Sequence, residues 1–222
     1  DYVEAYYNLG NALQICNRFD DAVIIYELAI DLKPNDADIH NNLGNAKRKC
    51  GNLVEALDSY KQASELKPHN TEILCNIGAV YQEIGNLDEA ILNYERAISI
   101  SPDNAKAYNN LGTAFKNKCR PEDAVKSYSR AIELCHDYAE AHNNLGISLQ
   151  SLNRLDKAIT SYRMAITINP HYAEAYYNCG NALNKQTKID EALICFKEAT
   201  ALKPDYAEAH NLKGATLEAQ GK

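Results

Sequence analysis

The chain has 222 residues, a formal net charge of −7 at pH 7, 24% charged residues and 45% hydrophobic residues. This composition indicates a folded protein rather than a disordered one, and the negative charge disfavours a nucleic-acid backbone, which binds basic surfaces. No apolar run approaches the length that spans a bilayer, so we expect neither a nucleic acid nor a membrane among the partners.

The sequence repeats itself every 34 residues without an insertion, as in AEAHNNLG (139–146) and AEAYYNCG (173–180). We treat residues 1–222 as a single array, which we expect to be part of a longer one. Its units are 3–36, 37–70, 71–104, 105–138, 139–172 and 173–206, followed by a terminal helix over 207–222.

Each unit is predicted to contain two helices. If places are numbered from 1 to 34 within a unit, Gly recurs at the eighth place, Ala at the twentieth and twenty-seventh, and an aromatic residue at the twenty-fourth. Spacings of three, four and seven residues correspond to one helical face. Gly or Pro separates the two helices near 50–52, 84–86 and 118–121, and a proline follows the second helix of most units.

This pattern, completed by Leu at the seventh place and Pro at the thirty-second, resembles the tetratricopeptide repeat (TPR) family over essentially the whole chain. The resemblance implies an all-α fold, a right-handed superhelical solenoid of helix-turn-helix repeats in which stacking supplies the core. In that architecture the first helix of each unit lines a concave groove. Places two, five, six, nine, twelve and thirteen then face the groove.

Asparagine, a poor helix former, recurs at the groove-facing places. An amide offers two donors and an acceptor, the complement of a peptide group, so a row of amides can hold an extended backbone. The alternative is that these amides bridge neighbouring first helices and satisfy one another. The predicted groove residues, including two tyrosines as possible anchors, are Asn8, Asn42, Asn76, Asn110, Asn144 and Asn178 at the sixth place, Asn41, Asn109 and Asn143 with Tyr7 and Tyr177 at the fifth, and Asn11, Asn45 and Asn181 at the ninth.

The predicted function is a protein-protein interaction scaffold that binds extended peptide segments of other proteins. The acidic second place, with residues such as Glu4 and Asp38, favours a partner that is basic along one edge. The sixth-place asparagines also resemble the TPR region of O-linked N-acetylglucosamine transferases. The alternative function is therefore a substrate-recruiting arm of such a glycosyltransferase, with the catalytic domain outside this segment. Self-association through array ends or convex faces is a third hypothesis.

No nucleotide-binding, nucleophile or metal motif is present, so we expect neither catalysis nor a cofactor. The fourth-place histidines (His40, His142, His210) are interpreted as packing or surface residues. The seven cysteines lack a C-x-x-C pair and are interpreted as small buried residues in a reducing compartment, cytoplasmic or nuclear, with a redox or metal role as the alternative.

Overall fold

A computed structural model describes residues 2–219 and 221. This part of the chain contains thirteen α-helices and no strand, which confirms the all-α prediction. The first helices of the successive units are α1 (Tyr2–Ile15), α3 (Ala37–Lys49), α5 (Thr71–Ile84), α7 (Ala105–Asn117), α9 (Ala139–Ser151), α11 (Ala173–Lys185) and α13 (Ala207–Ala219). The second helices are α2 (Phe19–Leu32), α4 (Leu53–Leu66), α6 (Leu87–Ile100), α8 (Pro121–Leu134), α10 (Leu155–Ile168) and α12 (Ile189–Leu202).

The chain forms two compact bodies, Asp1–Asn110 and Leu111–Lys222, with the division inside α7. In the first body, each helix from α1 to α6 packs on the next one along the chain, and α3 also contacts α1 and α5. In the second body, the same holds from α8 to α13, and α11 also contacts α9 and α13. The first helices within each body are therefore neighbours, which places equivalent side chains of successive units side by side.

The close approach of the two helices of a unit depends on the eighth-place glycine and the twenty-fourth-place aromatic ring. A methyl group on Gly10 would lie 2.5 Å from Cε1 of Tyr26, and one on Gly44 would lie 2.7 Å from Cδ1 of Tyr60. The ring lies directly on the glycine of its own unit, and it also shares a core cluster with residues of the next unit such as Ile39.

The helix ends follow the sequence signals. Pro121 is the first residue of α8, where a missing N–H costs nothing. Asp36 Oδ1 accepts hydrogen bonds from the backbone N–H groups of Asp38 (3.1 Å) and Ile39 (3.4 Å), so it caps α3. Prolines stand two residues after the last residue of several second helices, as Pro34 does after α2.

The turn inside each unit uses a left-handed backbone at the fifteenth place. Gly51 and Gly85 adopt φ values of 84° and 88° there. The same region is occupied by residues other than glycine in four units: Asn17 (φ 57°), Cys119 (57°), Asn153 (56°) and Thr187 (59°). Glycine adopts this conformation without steric cost, whereas the other four residues do not. The turn geometry is therefore kept in all six units although the residue at this place differs.

The fourth-place histidines on the first helices interact with the turn that precedes their unit. In each case Nε2 lies within hydrogen-bonding distance of a backbone carbonyl six residues earlier. The pairs are His40 with Pro34 (2.8 Å), His142 with His136 (3.2 Å) and His210 with Pro204 (3.0 Å). These contacts support the interpretation of the histidines as packing residues.

The buried tyrosines give the stability of the fold a specific dependence on alkaline pH. Burial raises the pKa of Tyr26 and Tyr60 from 10.0 to about 12, and it also raises the pKa of Tyr94, Tyr128 and Tyr162. The unfolded chain therefore releases phenolic protons at a pH where the folded chain retains them. This part of the stability is complete below pH 10 and is lost as the pH rises toward 12.

We expect the free energy of unfolding, measured with urea, to fall steeply between pH 10 and about 12. The control is Tyr60→Phe, which mimics the natural Phe196 at the same place and should make the fall shallower. An identical slope for the two proteins would contradict this assignment.

Candidate functional site

The sixth-place asparagines lie on the first helices, at the same point of every complete unit. Asn42, Asn76, Asn110, Asn144 and Asn178 are half-buried, and Asn8 on α1 is exposed. Because adjacent first helices contact each other within each body, these amides come within reach of the preceding unit. They are therefore available both to that unit and to a ligand.

Hydrogen bonds connect the sixth-place amides to the unit before. Asn76 Nδ2 donates to Oδ1 of Asn41 (3.0 Å), and Asn178 Nδ2 donates to Oδ1 of Asn143 (3.0 Å). Asn42 Nδ2 donates in the same way to the ninth-place Asn11 (2.9 Å), because the fifth place of the first unit is a tyrosine. The structure thus contains the interhelical bridges that the alternative interpretation of the asparagines describes.

The fifth-place asparagines differ from the expectation of an open polar track. The exposed fractions of Asn41, Asn109 and Asn143 are only 8%, 2% and 1%. Asn143 accepts from Asn178 and also donates through Nδ2 to the hydroxyl oxygen of Tyr172 (3.4 Å). A buried amide requires such partners, so the fifth place serves as the acceptor for the sixth place of the next unit.

Side chains at the ninth and twelfth places accept hydrogen bonds from the hydroxyl groups of the buried tyrosines. The sequence analysis did not predict this role. Tyr60 donates to Asn45 Oδ1 (2.7 Å), and Tyr162 donates to Gln150 Oε1 (3.1 Å). Asn11 Oδ1 likewise accepts from Tyr26 (2.7 Å), whereas the unit of Asn181 has Phe196 in place of the tyrosine. Polar residues fifteen or twelve positions before a recurring tyrosine are the signal that could have predicted these pairs.

The two fifth-place tyrosines have different surroundings. Tyr7 is half-buried and lines a hollow of about 230 Å³ together with Glu4, Lys33, Asp36 and Asp38. Tyr177 packs against the core of the second body, with its ring 5.0 Å from the ring of Tyr206. Tyr7 also packs against the core cluster of its own body, so both tyrosines are half-buried.

We call the side of the first helices that carries the sixth-place asparagines the asparagine face. A second hollow, of about 300 Å³, lies on this face in the second body and borders Asn178. It is lined by Ile147, Gln150 and Ser151 of α9, by Asn178 and Lys185 of α11, and by Tyr162. Its lining combines an apolar side chain, an amide and an exposed ammonium group.

In the first body, charged side chains at the two ends of the first helices form ion pairs with other residues of the chain. The second-place carboxylates are exposed, but both oxygens of Asp38 accept from Nζ of Lys67 at 2.8 Å. On the other edge, Arg48 Nε donates to Oε1 of Glu83 in the next unit (2.9 Å). Exposed pairs of this kind contribute little to stability.

Comparison with family models assigns the fold. The model described as "TPR repeat" matches residues 44–85, 83–118, 120–152, 148–187 and 180–221, and two models described as "Tetratricopeptide repeat" match 3–36 and 25–58. The chain belongs to the tetratricopeptide repeat family. A search of curated proteins found no significant match to this TPR chain.

Several solved structures resemble the chain over most of its length. YrrB, described as "a TPR protein with an unusual peptide-binding site", is 26% identical with a TM-score of 0.65, and the match covers 85% of this chain and 97% of YrrB. MamA is 32% identical with a TM-score of 0.66, covering 75% of this chain and 97% of MamA. Pseudomonas aeruginosa PilF, at 18% identity and a TM-score of 0.81 over 96% of this chain and 97% of PilF, is similar in fold alone.

The structure also bears on the remaining residue types. Within the described residues, no helix is both long enough and apolar enough to cross a membrane. In the same part of the chain, no group of three or more His, Cys, Asp or Glu side chains could hold a metal ion. Only Cys75 and Cys179 are buried, while Cys16, Cys119 and Cys135 are exposed, so the expectation of seven buried cysteines is wrong for most of them.

Proposed function

We propose that this TPR array binds an extended peptide segment of another protein along the asparagine face of its first helices. The observation that carries the proposal is the hollow beside Asn178, where an amide, the Lys185 ammonium group and the Ile147 side chain surround about 300 Å³. The fold is that of a protein-binding scaffold, and YrrB, a TPR protein with a peptide-binding site, supports the same reading.

The sixth-place amides would act on the peptide backbone. Each amide has two N–H donors and an acceptor oxygen, and one N–H of Asn178 is used in the bond to Asn143. That bond fixes the orientation of the side chain, so the amide meets a peptide group without losing further rotamer freedom. The interhelical bridge and peptide binding are thus compatible roles for one residue, and the bridge makes the binding geometry rigid.

The charges around the hollow would select the side chains of the peptide. Lys185 is exposed at the end of α11 and borders the hollow, so it favours an acidic residue there. The exposed second-place carboxylates, such as Glu140 and Glu174, lie at the opposite end of the same helices and favour basic residues. The preferred ligand is therefore an extended segment with an acidic residue at the Lys185 end and basic residues along the carboxylate edge.

The test uses peptides selected from a random phage-displayed library against the 222-residue chain, synthesised with a fluorophore and measured by fluorescence anisotropy. We expect Lys185→Glu to weaken binding of peptides that carry an acidic residue by about tenfold, the equivalent of about 1.4 kcal/mol. Lys188→Glu is the matched control, because Lys188 is also exposed but does not border the hollow, and it should leave the affinity unchanged.

A steric variant tests the hollow itself. Ser151 is exposed at the end of α9 and borders the hollow, so Ser151→Trp should fill it and abolish binding without changing the far-ultraviolet circular dichroism. Peptides that bind the Trp variant and the wild type equally would place the binding surface elsewhere. Failure to select any peptide would argue against peptide binding altogether.

A further inference from the structure

The sixth unit departs from the others at two places that face each other. The seventh place is Leu or Ile in the five other complete units but Cys179 in this one. The twenty-third place is Cys195, where four other units have a Ser or Asn whose side chain donates to the carbonyl four residues earlier in its own helix, namely Ser59, Asn93, Ser127 and Ser161. The two substitutions occur together, in the same helix pair.

The two cysteines lie on the packed helices α11 and α12 and share one core cluster. Cys179 is 1% exposed within the core cluster of the second body, and Cys195 is half-buried and packs against the same cluster. Each thiol shifts the pKa of the other, and Arg163 on α10, whose guanidinium group donates to Glu191, also lowers the pKa of Cys179. The partly exposed position of Cys195 gives small molecules a route to the pair.

The interaction between the two thiols makes one member of the pair easier to ionise. The interaction with Cys195, assisted by Arg163, lowers the pKa of Cys179. The same interaction raises the pKa of Cys195. The carboxylate of Glu191 raises the pKa of both thiols, but more weakly. The pair therefore loses one proton readily and keeps the other between the two sulfurs. By contrast, burial raises the pKa of the Cys75 thiol to about 11.

We propose that Cys179 and Cys195 form a redox-active pair that closes to a disulfide between α11 and α12 when it meets a small-molecule disulfide. The Cys179 thiolate takes the proton of Cys195 as the half-buried Cys195 sulfur attacks one sulfur of the reagent and displaces one thiolate. Cys179 then loses its proton and attacks the mixed disulfide at Cys195, which displaces the second thiolate. The pair gives up two electrons and two protons, and the reagent becomes two thiols.

The experiment treats the 222-residue chain with oxidised glutathione and maps the products by mass spectrometry after trypsin digestion. Cleavage after Arg163, Lys185, Lys188 and Lys197 places the two cysteines on separate peptides, 164–185 and 189–197. We expect these peptides to become linked, with little glutathione retained on Cys195. The exposed Cys16, Cys119 and Cys135 should instead carry glutathione as mixed disulfides.

Two variants separate the pair mechanism from simple exposure. In Cys179→Ser, Cys195 should accumulate bound glutathione, because no second thiol displaces it. In Cys195→Ser, Cys179 should stay unmodified, because its side chain is buried. Glutathione that persists on Cys195 in the wild type, or a Cys195 thiol that remains free while the exposed cysteines react, would overturn the proposal. Circular dichroism of both variants verifies that they are folded.

Discussion

Gly146→Ala is expected to lower the free energy of unfolding by about 1 to 3 kcal/mol, although alanine is the better helix former. The added methyl group would lie 2.5 Å from Cε1 and 2.7 Å from Cδ1 of Tyr162. The Tyr162 ring is 1% exposed and its hydroxyl group donates to Gln150, so the clash is relieved only if the ring leaves this position or α9 and α10 separate. The overpacking cost thus exceeds the gain in helix propensity.

Gly214→Ala is the matched control for this prediction. Gly214 occupies the same eighth place on α13, but a methyl group there would meet nothing within 4 Å. The change should therefore stabilise the chain by about 0.5 to 1 kcal/mol, the propensity difference alone. Urea unfolding followed by circular dichroism gives both values, and a destabilisation of similar size at the two positions would contradict the packing explanation.

Asn143→Ala is expected to destabilise the chain by about 1 to 3 kcal/mol, the net contribution of the two side-chain hydrogen bonds that it removes. The Asn143 amide is 1% exposed, accepts from Asn178 and donates to Tyr172. Its removal leaves an N–H of Asn178 and the hydroxyl group of Tyr172 to find other partners. The loss should exceed the gain in helix propensity that alanine brings.

Asn211→Ala provides the comparison at the same fifth place. Asn211 is exposed on α13, so its replacement should stabilise the chain by up to about 0.7 kcal/mol. Thermal unfolding of the two variants beside the wild type distinguishes the cases. If Asn143→Ala were as stable as Asn211→Ala, the interhelical amide bonds would contribute nothing, and the asparagines would be retained for binding alone.

The repeat made the fold predictable from the sequence. The 34-residue period, the glycine of the first helix, the alanines and aromatic residue on one face of the second helix, and the prolines after the second helices together fix the number of helices, their order and most of their ends. These signals are local, and they recur six times, so that an exception such as His136 in place of a proline does not obscure them.

The partners of the polar side chains were not predictable in the same way. An asparagine at the fifth or sixth place has the same sequence signature whether it faces a groove or an adjacent helix. The distinction depends on the distance between first helices, which brings Asn76 to 3.0 Å from Asn41 across 35 residues of sequence. The contact between Cys179 and Cys195 was hidden for a similar reason, because each residue occupies a place where the other units have no cysteine.

The left-handed turn at the fifteenth place has a consequence for how the array can change over time. Since the two packed helices impose the same backbone on Asn17, Cys119, Asn153 and Thr187 as on Gly51 and Gly85, the residue identity there is free to drift without loss of the fold. Cys119 and Thr187 occupy this conformation at an expense of about 1 to 2 kcal/mol each, which the rest of the helix pair tolerates. Replacing Cys119 or Thr187 by glycine would therefore remove this cost and stabilise the chain. Such a change could compensate for a destabilising substitution on the binding face.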